Sequence, residues 1–193
     1  MKAVAASLLL VFWGLTATAC IDQGSGVIRA ESLTIADCGD AGVWTSLEME
    51  LSYLSVLRAT DAAVIRVSTT SQMAPVSDSL VITVENYAAV RAQIAAEGAA
   101  TLPLGADGAQ VSMAMLDTCP ESMIPLIGVN GSVTFSQLGT LTGDRISAEL
   151  EFDLIDARTL EVVGPAFDVS FDFEVQAGTP HENFSDPRRQ HGE

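Results

Sequence analysis

The chain has almost no lysine, little histidine and few aromatic side chains. Lys2 is the only lysine in 193 residues, every other basic residue is arginine, and 25 acids bring the formal net charge to -16. A field of that sign repels phosphate backbones and anionic headgroups, which disfavours nucleic-acid binding and other functions built on a basic patch. Histidine, the commonest general base and metal ligand, occurs only as His181 and His191, in a polar stretch near the C-terminus. That placement removes a Ser-His-Asp or Cys-His triad from the folded body, and neither G-x-S-x-G nor H-E-x-x-H occurs. Cys-x-x-Cys is also missing, which excludes a thioredoxin-type redox site.

Apolar residues make up 48% of the chain and come in short bursts, as expected of one folded domain with its own core. The first twenty residues differ from the rest. Lys2 is followed by an uncharged stretch from Ala3 to Gly14, too short to span a bilayer comfortably, and then by Ala17, Thr18, Ala19 and Cys20. This layout resembles the signal peptide and lipobox of bacterial lipoproteins, with Ala17 where the family usually has leucine. The resemblance implies cleavage before Cys20, a diacylglyceryl thioether on its sulfur and a cell-envelope location, with the membrane as partner through the lipid. An ordinary secretory signal cut after Ala17 or Ala19, leaving Cys20 free, is the alternative. A mature chain starting at Cys20 loses Lys2 and keeps every acid, for a net charge of about -17.

Three cysteines are an odd number for an exported protein. Lipidation of Cys20 leaves Cys38 and Cys119, which sit in the turn-like contexts DCGDAG and DTCPES and are expected to pair in an oxidising compartment.

After a short tether over residues 20–26, the body at 27–176 reads as all-β, an antiparallel β-sandwich or partly closed barrel with one short helix. Ile146, Ala148, Leu150, Phe152 and Leu154 alternate with polar residues, as do Phe167, Val169, Phe171, Phe173 and Val175, the period of half-buried strands. Asn130-Gly131 and Gly143-Asp144 read as hairpin turns. Residues 86–98 carry Tyr87, Val90 and Ile94 at helical spacing, with Asn86 as N-cap and Gly98 as stop. Residues 177–193 read as a disordered polar tail. Gly131 to Val175 is similar in style to uncharacterised bacterial lipoproteins with β-rich bodies, a likeness that carries no activity.

Chemistry-bearing candidates are few. Glu149, Glu151 and Asp153 on one strand and Asp168 and Asp172 on another would stand on polar faces of neighbouring strands, where a cation such as calcium, or simply water, would relieve their repulsion. Trp44 follows the Cys38 loop as a candidate ligand platform, with burial in the core as the alternative. The expected function is a non-enzymatic binding or structural module without a cofactor, its ligand or protein partner open. A carboxylate-dependent hydrolase and a calcium-dependent adhesion or assembly module are the other classes.

Overall fold

The computed structural model describes residues 23–70, 77–120 and 125–176. The leader, Cys20, Glu121, His181, His191 and the tail lie outside them. The strands are β1 (Gly24–Ala30), β2 (Leu33–Thr34), β3 (Val43–Trp44), β4 (Leu47–Leu51), β5 (Tyr53–Arg58), β6 (Ala62–Ser68), β7 (Asp78–Glu85), β8 (Ala100–Pro103), β9 (Ala109–Met115), β10 (Leu126–Leu138), β11 (Arg145–Asp156) and β12 (Val162–Glu174). A single helix, α1 (Tyr87–Glu97), joins β7 to β8, and tight 3-10 turns over Ala36–Gly42 join β2 to β3.

Period-two alternation sets the long strands. Every inward residue expected on β11 and β12, from Ile146 to Leu154 and from Phe167 to Val175, is at most 5% exposed. The register pairs them face to face, Ile146 with Phe173, Ala148 with Phe171 and Leu150 with Val169, and the Phe152 and Phe167 rings stack at 5.4 Å. Ten strands form one antiparallel sheet in the order β4-β1-β12-β11-β10-β9-β7-β6-β5, with β8 beside β9 on the same edge of β10. The two strands at the ends of that order, β4 and β5, are separated in the chain by Ser52 alone. One bent segment therefore serves both ends, and the sheet is nearly closed and barrel-like, as the all-β reading expected. Counting β4–β5 and β8–β9 as one stave each gives eight, a diameter that side chains fill. Phe135, Phe167, Phe173, Leu80, Ile82 and Ile65 occupy it, each no more than 1% exposed.

Each pole is covered. At one, α1 packs on β8 and β10; its buried Tyr87 reaches the Leu138 carbonyl (3.4 Å) and the Thr140 hydroxyl (3.1 Å). At the other, the β2–β3 excursion buries Leu33 and Ile35.

Four expectations need correction. Asn130-Gly131 is not a hairpin turn but a bulge inside the continuous β10, with Asn130 at φ +53° and the register slipping between Val129 and Ser132. Bulges and hairpins both recruit residues tolerant of positive φ, so the dipeptide alone does not separate them. Asn86 sits at the N-cap in a left-handed conformation with no side-chain cap bond. Residues 24–26, expected in the tether, already belong to β1, pairing with Phe171, Asp172 and Phe173 of β12 so closely that a Cβ at Gly26 would lie 2.5 Å from Phe171 Cβ. Lastly, β8 is too short to show a period of two and carries no strand signal in the sequence.

The bulge and the true turn are distinguishable by mutation. A Cβ at Gly131 would lie 1.9 Å from the Glu151 carbonyl oxygen, whereas one at Gly143 (φ +88°) meets nothing within 4 Å. Gly131→Ala is expected to cost at least the ~3 kcal/mol upper end of overpacking and Gly143→Ala only about 1–2 kcal/mol of backbone strain, measured by urea unfolding. Equal losses would contradict the bulge assignment.

Candidate functional site

The barrel's outer face over β4, β1, β12 and β11 carries most of the sequence-nominated acids. Read across the strands, one row runs Glu48, Arg29, Asp168, Glu151, Ser132; the next runs Glu50, Val27, Ser170, Glu149, Thr134. Close approach of β1 to β12 at Gly24 and Gly26 leaves a trough of about 660 Å³, lined by Ser25, Arg29, Glu48, Glu50, Glu149 and Asp172 among others.

The charges in it are partly paired. Arg29 Nε donates to Glu48 at 3.1 Å, and Arg145 grips both oxygens of Asp172 at 3.1 and 2.7 Å. The Asp172 contact raises the Arg145 pKa, first through the hydrogen bond and then through charge. Both pairs are exposed and screened by water, so neither is a strong clamp. Glu50 and Glu149 stand three strand spacings apart, about 14 Å, wider than the carboxyl separations of glycosidases. The trough thus offers hydrogen-bond acceptors and negative charge around one guanidinium, a surface for cationic or donor-rich groups.

The five nominated metal ligands do not gather into one site. Glu151 faces Asp168 directly, Glu149 faces Ser170, and Asp172 faces Ser147. Asp153 is occupied as a structural acceptor, taking the Ala166 N–H at 3.1 Å and the Asn130 amide at 3.3 Å. Among the described residues no group of three or more His, Cys, Asp or Glu side chains is arranged to hold a metal ion. Trp44 pairs with Leu33 across β2–β3 and packs partly buried on the core, so it is a wall of the plug rather than an open platform.

Cys38 and Cys119 form a disulfide, with Cα atoms 5.8 Å apart and a sequence separation of 81. In the chain-entropy account a loop of that length stabilises by about 4–5 kcal/mol. The bond pins the β2–β3 plug to the end of β9, and a second clamp acts beside it. Arg158, in the β11–β12 turn, donates to Asp156 at 2.9 Å and to Asp37, the neighbour of Cys38, at 3.1 Å. The Arg158 hydrogen bond, aided by the backbone N–H groups of Arg158 and Thr159, holds the Asp156 carboxyl below the usual carboxylate range against the opposing effect of burial. The same contacts raise the Arg158 pKa.

Asp78 was not singled out by sequence. It is 3% exposed and accepts the Asp117 N–H (2.9 Å), the Thr118 N–H (3.1 Å) and the Thr118 hydroxyl, fixing the turn that presents Cys119. The available signal was an acid at the inward parity of Leu80, Ile82 and Val84. Arg66, likewise unmarked, is 6% exposed on β6, and burial lowers its pKa.

No protein-family model matches the chain, and neither a curated protein nor a solved structure matches it. The chemistry of the site rests on its own geometry.

The clamp gives stability a defined pH dependence. Because the folded Asp156 pKa is depressed, its contribution is fully present above the unfolded carboxylate range, about 4, and fades as pH falls through the folded value. Asp156→Asn is expected to be less stable than the parent at pH 7 and to lose less stability between pH 5 and pH 2, read from urea midpoints. Parallel curves for the two proteins would contradict the clamp.

Proposed function

We propose that the chain is an exported envelope lipoprotein, anchored through acyl chains on Cys20, whose barrel is a non-enzymatic binding or structural module. The observation that carries this is the Cys38–Cys119 disulfide. It fits an oxidising compartment, and it leaves Cys20, at the Ala17-Thr18-Ala19-Cys20 junction, as the single cysteine without a partner in the chain. Among the described residues no helix is long and apolar enough to cross a membrane; attachment in this proposal comes from lipid on Cys20. Two or more acyl chains are needed for stable anchoring, since one gives only reversible binding.

The acidic trough supports a binding role for the outer sheet face. Its acceptors suit a partner presenting guanidinium, ammonium or amide groups.

Metabolic labelling with an alkyne fatty acid tests the anchor. The parent protein is expected to incorporate label and Cys20→Ser to incorporate none, since Cys38 and Cys119 are paired. An unlabelled parent, or equal labelling of both proteins, would sink the proposal.

A further inference from the structure

We infer that the barrel stands on the bilayer by the pole that α1 covers, with the Leu141 turn at the lipid interface and the disulfide pole held outward. This rests on the lipidation of Cys20 proposed above.

Tether length and the position of the chain ends carry the inference. At the helix pole the Glu174 N–H donates to the Gln23 carbonyl at 2.6 Å, the Val175 N–H to Asp144 at 2.8 Å, and the Gly143 N–H to Val175 at 2.8 Å. The first and last described segments therefore meet at the β10–β11 turn. Only Ile21 and Asp22 separate Cys20 from Gln23, so Gln23 lies at most about 10–11 Å from a lipidated Cys20. The polar interface of a bilayer is roughly 5–7 Å deep on each side. A three-residue reach across it keeps this pole at the surface.

The turn is built to meet that surface. Leu138, at the end of β10, is 4% exposed, whereas Leu141, three residues on, is 63% exposed. The Asp144 carboxylate accepts the Thr140 and Leu141 N–H groups, each at 3.0 Å, which holds the turn stiff with Leu141 at its tip.

Three arginines stand at the same pole, beside the carboxylates of Asp144, Asp172 and Glu174. Of the six arginines between residues 23 and 176, Arg58 and Arg91 lie over the Tyr87 ring at 5.3 and 5.7 Å, and Arg145 opens β11 beside the turn. Arg91 and Arg145 line a groove of about 270 Å³ with Leu138 and Asp144. Guanidinium groups match lipid phosphates, and Arg58 and Arg91 offer them at this pole, while Arg145 is already held by Asp172.

The opposite pole also exposes apolar side chains, Leu160 at 73% and Val43 at 58%. From Arg145 to Asp156 the length of β11 is about 36 Å. With the barrel upright on its tethered pole, that length holds the other pole away from the surface.

The test uses the lipidated protein in phosphatidylethanolamine–phosphatidylglycerol vesicles. With Cys20 alkylated and Cys38 paired with Cys119, Leu141→Cys or Leu160→Cys adds the one free thiol, to which an environment-sensitive fluorophore is attached. The label at Leu141 is expected to shift to shorter wavelength and to be quenched by spin-labelled lipid, while that at Leu160 keeps its aqueous spectrum. If the protein floats with the vesicles but both labels stay aqueous, or Leu160 alone is quenched, the orientation is overturned and the anchor stands. If it does not float with the vesicles, both fall.

Discussion

At Ser52 the chain stops pairing with β1 and starts pairing with β6. The Ser52 N–H donates to the Ser68 carbonyl at 3.0 Å and its hydroxyl to the Thr69 carbonyl at 2.6 Å, which holds the bend where the two ends of the sheet meet. An open ten-stranded sheet would present two long unpaired edges; here both ends belong to one segment, and little edge is left to recruit other chains. Closure also decides what period-two alternation means. One face of every stave becomes interior, so the phenylalanines of β10 and β12 share a single core. The other face becomes surface, and the acids of β4, β11 and β12 stand in water or in the trough.

A closed barrel leaves its poles to be covered, and the two covers differ physically. The helix is held by apolar packing of Tyr87 and Val90 together with the Tyr87 hydroxyl contacts. The 3-10 plug is held by a covalent bond and a charged clamp, Cys38–Cys119 with Asp37–Arg158–Asp156. Asp78, anchoring the backbone before Cys119, joins the covalent bond to the strand ends. This asymmetry gives the barrel a direction. Both described chain ends leave from the helix pole, opposite the disulfide-pinned plug.

Much of this was legible in the sequence. The alternation of β11 and β12, the turn at Gly143-Asp144, the helix stop at Gly98 and the pairing of Cys38 with Cys119 each follow from local rules that the tertiary structure leaves intact. What escaped depends on contacts between distant segments. The bulge at Asn130-Gly131 exists because β10 must run past Glu151 without turning back, and the same dipeptide elsewhere closes a hairpin. Gly24 and Gly26 looked like linker because their role is the absence of a side chain against β12. Closure through Ser52 leaves no composition signal at all. The acids of β11 and β12 were read correctly as an outward face, but only the register shows Asp153 committed to the backbone and Asp172 to Arg145.

The proposed export and lipidation would explain the N-terminal layout, the odd cysteine count and the disulfide together, with the barrel as the displayed module. Intact-mass analysis of protein extracted from membranes tests that account most directly. The expected mass is that of a chain beginning at Cys20, carrying a diacylglyceryl group, and 2 Da below the fully reduced value because Cys38 and Cys119 are joined. A free thiol at Cys20, or a chain that still carries residues 1–19, would contradict it.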